Sequence, residues 1–139
     1  MTYKINRIQF ASTDKVHTIY AVAYLPEHPR GIVQICHGMQ EHMGRYDEVM
    51  RFLAEHGYLA CGHDHLGHGL TAASEQDFGF FAESGGAKLL AGDLCKLSRL
   101  MREEFRPLPL VLLGHSMGSF VARMAAGSHP ELYRGRVLS

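Results

Sequence analysis

Leu110-Val111-Leu112-Leu113-Gly114-His115-Ser116-Met117-Gly118-Ser119 decides how this chain is read. A short apolar run with the length of a buried strand enters Gly-X-Ser-X-Gly, and Phe120 to Ala126 continue as a helix until Gly127. A serine at so sharp a strand-to-helix turn lifts its hydroxyl above the end of the sheet. Glycine on both sides removes the side chains that would block the bend and the close helix–strand approach. Ser116 is therefore the candidate nucleophile, supported by Gly114 and Gly118, with His115 beside it. An ordinary turn also satisfies the five-residue pattern, and only the strand before it and the helix after it separate the two readings.

The chain around this stretch has 139 residues, enough for one domain with a real core and too few for two ordinary ones. Fourteen Lys and Arg balance fourteen Asp and Glu, so no general attraction to nucleic acid or to an anionic membrane is expected. The N-terminal residues lack the apolar core of a signal peptide, and no apolar run approaches the length of a membrane span. Cys36, Cys61 and Cys95 are odd in number and widely spaced, which favours buried, reduced thiols over a disulfide framework. The expectation is a soluble protein of the cytoplasm.

Upstream of the elbow the pattern alternates between strand and helix. Residues 3–10 and 17–25 carry β-branched and aromatic residues in alternation around a polar turn at Ser12–Lys15, which predicts a hairpin. Pro26, Pro29 and Gly31 break the chain before a short buried strand, Ile32 to Cys36. Tyr46, Val49, Met50 and Leu53 recur at helical spacing over 45–56, with Gly57 placed for a left-handed cap. Residues 58–62 read as another strand, opening into a loop rich in histidine and glycine at 63–69, and 71–83 show no period. Ser84 can cap a helix to about Phe105 with Leu90, Leu94, Leu97 and Met101 on one stripe, ended by Pro107 and Pro109. Arg136 to Ser139 opens a further strand. From Ile32 onward this is an α/β pattern with a mostly parallel sheet.

Three motifs occur together and in order: His37-Gly38-Met39-Gln40-Glu41-His42-Met43-Gly44-Arg45-Tyr46, then Asp64-His65-Leu66-Gly67-His68-Gly69, then Gly114-His115-Ser116-Met117-Gly118. The combination resembles the α/β-hydrolase family of monoacylglycerol lipases, lysophospholipases and serine aminopeptidase-type hydrolases. The resemblance implies an α/β-hydrolase fold, entered by an N-terminal antiparallel hairpin and cut off after the sixth strand begins. Residues 1–139 would be the N-terminal half of one domain, with the cap and the C-terminal part outside it.

The resemblance also implies roles. Ser116 would attack an ester carbonyl, and the backbone N–H groups of Met39 and Met117 would hold the oxyanion. Loss of one such donor costs on the order of 100- to 1,000-fold in rate. His37 and Gly38 would carry the first donor's loop, and Glu41, His42, Arg45 and Tyr46 would shape or brace it. As surface residues of a helix entry, those four have an equally ready explanation. His63, His65 and His68 around Asp64 superficially match metal-ligand spacing. Read as part of the second motif they form a structural loop, so no metal and no cofactor is expected.

A serine hydrolase of this fold also needs an acid and a histidine after the nucleophile, in that order. After Ser116 the chain holds one histidine, His129, and one acid, Glu131, in the wrong order. His129 lies past the end of the elbow helix, roughly 15 Å or more from the serine. His115 diverges from its neighbour at the turn, with nothing in the sequence to orient its ring. The acid and base are therefore expected outside this chain, leaving it inactive alone.

The leading expectation is a serine carboxylic-ester hydrolase acting on a lysophospholipid, a monoacylglycerol or a similar small ester. One alternative is a non-catalytic fragment or subunit that needs a complementing C-terminal chain or self-associates through its exposed last strand. Another is a hydrolase of a different bond, as in an aminopeptidase or a thioester hydrolase.

Overall fold

The computed structural model describes residues 2–38, 42–66 and 86–139. Six strands form one sheet: β1 (Tyr3–Ala11), β2 (Thr18–Pro26), β3 (Ile32–Cys36), β4 (Leu59–His63), β5 (Leu110–Gly114) and β6 (Gly135–Leu138). Their order across the sheet is β1-β2-β4-β3-β5-β6. β1 and β2 form the expected antiparallel hairpin, β2 joins β4 antiparallel, and β4, β3, β5 and β6 run parallel.

Among the described residues three α-helices cover this sheet: α1 (Asp47–Glu55), α2 (Gly86–Glu104) and α3 (Met117–Ser128). α2 and α3 pack on one face, where Leu90, Leu94, Leu97, Met101, Val121, Ala122 and Ala125 meet Ile32, Cys36, Leu110 and Leu112. The other face buries Met50 and Ala54 of α1 against Val22, Tyr24, Ile35 and Ala60. The period of two along β3 thus sends Ile32 and Cys36 to one layer and Ile35 to the other.

Local chemistry explains the element ends. Gly57 takes φ 89° directly after α1, the left-handed backbone that closes a helix without a Cβ penalty. The segment expected to be helical from residue 45 is different at its start: Met43–Tyr46 form a 3-10 turn, capped by the His42 ring, which accepts from the Gly44 N–H at 3.1 Å. α3 runs one residue past Gly127, to Ser128. Ser84 and residues 71–83 lie outside the described residues.

Two polar contacts fix how the hairpin sits. Buried Asp93 of α2 accepts from the Ser12 hydroxyl at 2.9 Å and from the Thr13 N–H at 2.7 Å, so the hairpin turn is tied to the helix layer. On the opposite face the Tyr24 hydroxyl donates to Asp47, which also pairs with Arg51 at 2.7 Å.

This topology positions the site. β3 has β4 on one side, reached through α1, and β5 on the other, reached through α2. The chain reverses direction across the sheet here, so the loops leaving the carboxyl ends of β3 and β5 lie side by side. The loops are His37–Gly38 and His115–Ser116.

Candidate functional site

Ser116 stands between β5 and α3 with φ 56° and ψ −122°, a backbone conformation that L-residues rarely adopt. Its side chain is exposed. The surrounding backbone enforces this geometry. A Cβ on Gly114 would lie 2.8 Å from the Gly118 carbonyl oxygen and 2.9 Å from the Ser119 nitrogen, and a Cβ on Gly118 would lie 2.5 Å from the His37 carbonyl oxygen. Both glycines are therefore required by close backbone approach, as expected for an elbow.

Hydrogen bonds lock the turn in place. The His115 N–H donates to the Cys36 carbonyl at 3.3 Å, joining the elbow to the end of β3. The Ser116 N–H donates to the Ser139 carbonyl at 2.9 Å, joining it to the end of β6. In the first turn of α3 the Gly118 and Ser119 N–H groups donate to His115 and Ser116 carbonyls at 2.9 and 3.0 Å. Among the described residues no acceptor takes the Met117 N–H, a donor at the positive end of a helix beside the serine.

His115 differs from expectation. Its Nδ1 lies 2.8 Å from the Ser139 hydroxyl, so a residue at the end of β6 orients a ring that the sequence had left without a partner. His129 sits where expected, at the far end of the 12-residue α3. There its Nδ1 lies 3.6 Å from Glu131 and 3.4 Å from Arg99.

The loop after β3 is held from below. His37 is fully buried, its Nδ1 lying 2.7 Å from the Gly38 carbonyl and its Nε2 accepting the His65 N–H at 2.9 Å. Met39 and Glu41 lie outside the described residues. Of the second motif, Asp64 accepts the Met43 N–H at 2.8 Å, so its carboxylate binds the chain just past the β3 loop. His63 is fully buried, and among the described residues neither ring nitrogen has a hydrogen-bond partner. Burial, with His37 close by, pushes its pKa down to about 3, so the ring is neutral. Among the described residues no group of three ligating side chains could hold a metal ion, and His68 lies outside them. All three cysteines are free and buried, and burial raises the Cys36 thiol well above its ordinary value.

Sequence reading missed one buried polar group beneath the elbow. Gln34 points from the centre of β3 into the α2 layer, donating to the Leu94 carbonyl at 3.1 Å and accepting from the Ser98 hydroxyl at 2.6 Å. Ser98 also contacts the Tyr133 hydroxyl at 2.8 Å. The signal that could have found it is a lone amide inside an otherwise apolar strand.

Known proteins resemble this arrangement closely. A family model described as "Serine aminopeptidase, S33" matches residues 27–139. The human monoglyceride lipase is 34% identical over 113 residues, which are 79% of this chain and 34% of that protein. The monoacylglycerol lipase of Mycolicibacterium smegmatis is 32% identical over 133 residues, covering 94% of this chain and 44% of its own length. Among solved structures, a thermostable carboxyl esterase from Bacillus coagulans in complex with glycerol superposes with a TM-score of 0.90 at 34% identity. That match covers 99% of this chain and 44% of the esterase. The chain spans less than half the length of these relatives.

Proposed function

This chain belongs to the serine aminopeptidase S33 family of α/β hydrolases, monoacylglycerol lipase-like in sequence, and from that premise we propose that it carries the nucleophile of a serine carboxylic-ester hydrolase. Residues 1–139 form the N-terminal half of one hydrolase domain. The observation that carries the reading is the backbone at Ser116, a strained serine held between two glycines that the adjoining backbone forbids to grow. Strain of this kind, costing on the order of 1–3 kcal/mol, persists where a site depends on it.

In the proposed reaction the Ser116 oxygen attacks an ester carbonyl of a monoacylglycerol, lysophospholipid or similar lipid, while a base takes its proton. The carbonyl oxygen becomes an oxyanion held by the Met117 and Met39 N–H groups, and the alcohol leaves as an acyl-enzyme forms. Water then releases the acid. His37, Gly38, Gly114, His115 and Gly118 shape the site. The base and its carboxylate come from outside these residues, through a complementing segment that pairs along the open edge of β6, and the protein acts in the cytoplasm.

A fluorophosphonate probe tests this. The chain alone is expected to stay unlabelled. Mixed with a polypeptide carrying the C-terminal part of such a domain, it is expected to label at Ser116, and Ser116→Ala to abolish the signal. Labelling that survives Ser116→Ala overturns the nucleophile assignment, and labelling of the chain alone overturns the need for a complement.

A further inference from the structure

Between the end of β1 and the C-terminal half of α2 lies a groove, none of whose lining residues belongs to the elbow or to the loop after β3. Lys96, Arg99, Leu100 and Glu103 recur at i, i+3, i+4 and i+7, so they share one side of the helix. Phe10 and Ala11 face them, and these six described residues line a groove of about 380 Å³. That volume falls within the range of small-molecule sites. From Lys96 to Glu103 the helix rises about 10 Å.

The lining is apolar along its length and cationic at one end. Half-buried Phe10 and exposed Leu100 supply apolar surface, and the methylene stems of Lys96 and Arg99 extend it. Lys96 Nζ donates to the Ala11 carbonyl at 2.7 Å, which holds the ammonium at the rim while it retains further N–H donors. Arg99 stands one turn along, with one guanidinium nitrogen 3.4 Å from His129 Nδ1. Among the described residues neither cation makes an ion pair with a carboxylate. Glu103, the one acid of the lining, is at the other end and accepts from Arg106 at 3.0 Å, so its charge is already answered.

We propose that this groove binds a free medium-chain fatty-acid anion. Its carboxylate meets Lys96 and Arg99, a charge-assisted contact for which a guanidinium fork is well shaped. Its alkyl chain lies along Leu100 and Phe10 towards Glu103, and the 10 Å of helix suits a medium chain. A bilayer is the poorer occupant, because the chain's fourteen basic and fourteen acidic residues give it no general attraction to an anionic surface.

Isothermal titration of the full chain with decanoate, kept below the concentration at which it aggregates, tests the site. Saturable binding is expected, weaker at high salt. The double variant Lys96→Gln/Arg99→Gln is expected to raise Kd about tenfold, the sum of two partly exposed charge contacts. Lys96→Arg, which keeps the charge, and Lys88→Gln, which removes a charge from the same helix outside the groove, should bind as the unsubstituted chain does. Leu100→Asp should abolish binding. No binding of decanoate overturns the proposal, as does equal affinity for decanol, which lacks the charge. Equal weakening by Lys88→Gln, or an unchanged Kd in the double variant, also overturns it. So does binding to phosphatidylglycerol vesicles without any response to monomeric decanoate. Because no turnover is read, a failed titration leaves Ser116 as nucleophile standing, and a failed labelling experiment leaves the groove standing.

Discussion

A Cβ at Gly118 would lie 2.0 Å from the carbonyl oxygen of Cys36. The first turn of α3 thus rests directly on the backbone at the end of β3, with no side chain between them. That contact brings the elbow of β5 beside the loop of β3.

Gly118→Ala is expected to be among the most damaging single-methyl additions available here. The obstructing atoms are backbone carbonyls at the end of a central strand and in the residue just after it, which cannot swing aside as a flexible side chain can. A loss of about 3 kcal/mol or more is expected, at or above the upper end of ordinary overpacking costs. Gly127→Ala is the control, because nothing lies within 4 Å of the position a Cβ would take there. It should be neutral or stabilising by up to about 1 kcal/mol. Urea unfolding of the two variants measures the contrast.

At position 116 the usual preference should invert. Ser116→Ala removes the hydroxyl and keeps the strained φ of 56°. Ser116→Gly relieves the strain, while adding freedom to the unfolded chain. The glycine variant is expected to exceed the alanine variant in stability by about 1 kcal/mol. Equal urea midpoints would mean that the turn stores no strain.

His63 makes stability fall in acid. Its pKa is about 3 when folded against an ordinary 6.5, so between those values the unfolded chain binds a proton that the folded chain refuses. The contribution is complete above pH 6.5 and is lost as pH falls towards 3, at up to about 1.4 kcal/mol per pH unit. His63→Leu should flatten that part of the profile. An unchanged acid slope in the variant would assign the loss to other groups.

The Gln34–Ser98 pair should behave as a unit. Ser98→Ala leaves the Gln34 carbonyl oxygen and the Tyr133 hydroxyl without this shared partner, and a cost of about 1–3 kcal/mol is expected. Combined with Gln34→Leu, the double variant should lose less than the sum of the singles, with coupling of about 0.5–3 kcal/mol. Strict additivity would show that the bond contributes little.

Much of the fold was legible because its signals are local. The apolar runs at Ile32 to Cys36 and Leu110 to Leu113, the helical stripe of α2 and the left-handed Gly57 depend on residues within a few positions of one another, and the structure places all of them as read. The elbow belongs to the same class, since its glycines and its serine lie within five residues. Errors fell where short-range pattern is ambiguous, as at the 3-10 turn before α1, or where the partner comes from elsewhere, as with Ser139 beside His115.

By itself the sequence determined the periodicities, the nearly neutral charge balance and the three motifs, because each is a property of neighbouring residues. Only the tertiary structure decided which groups meet. Strand order places β3 between β4 and β5, and that adjacency sets His37 against His65, Gln34 against Ser98 and Cys36 against Gly118. Pairings across 28 and 64 residues follow from strand register and helix packing, which arise only when the whole sheet buries its two faces together.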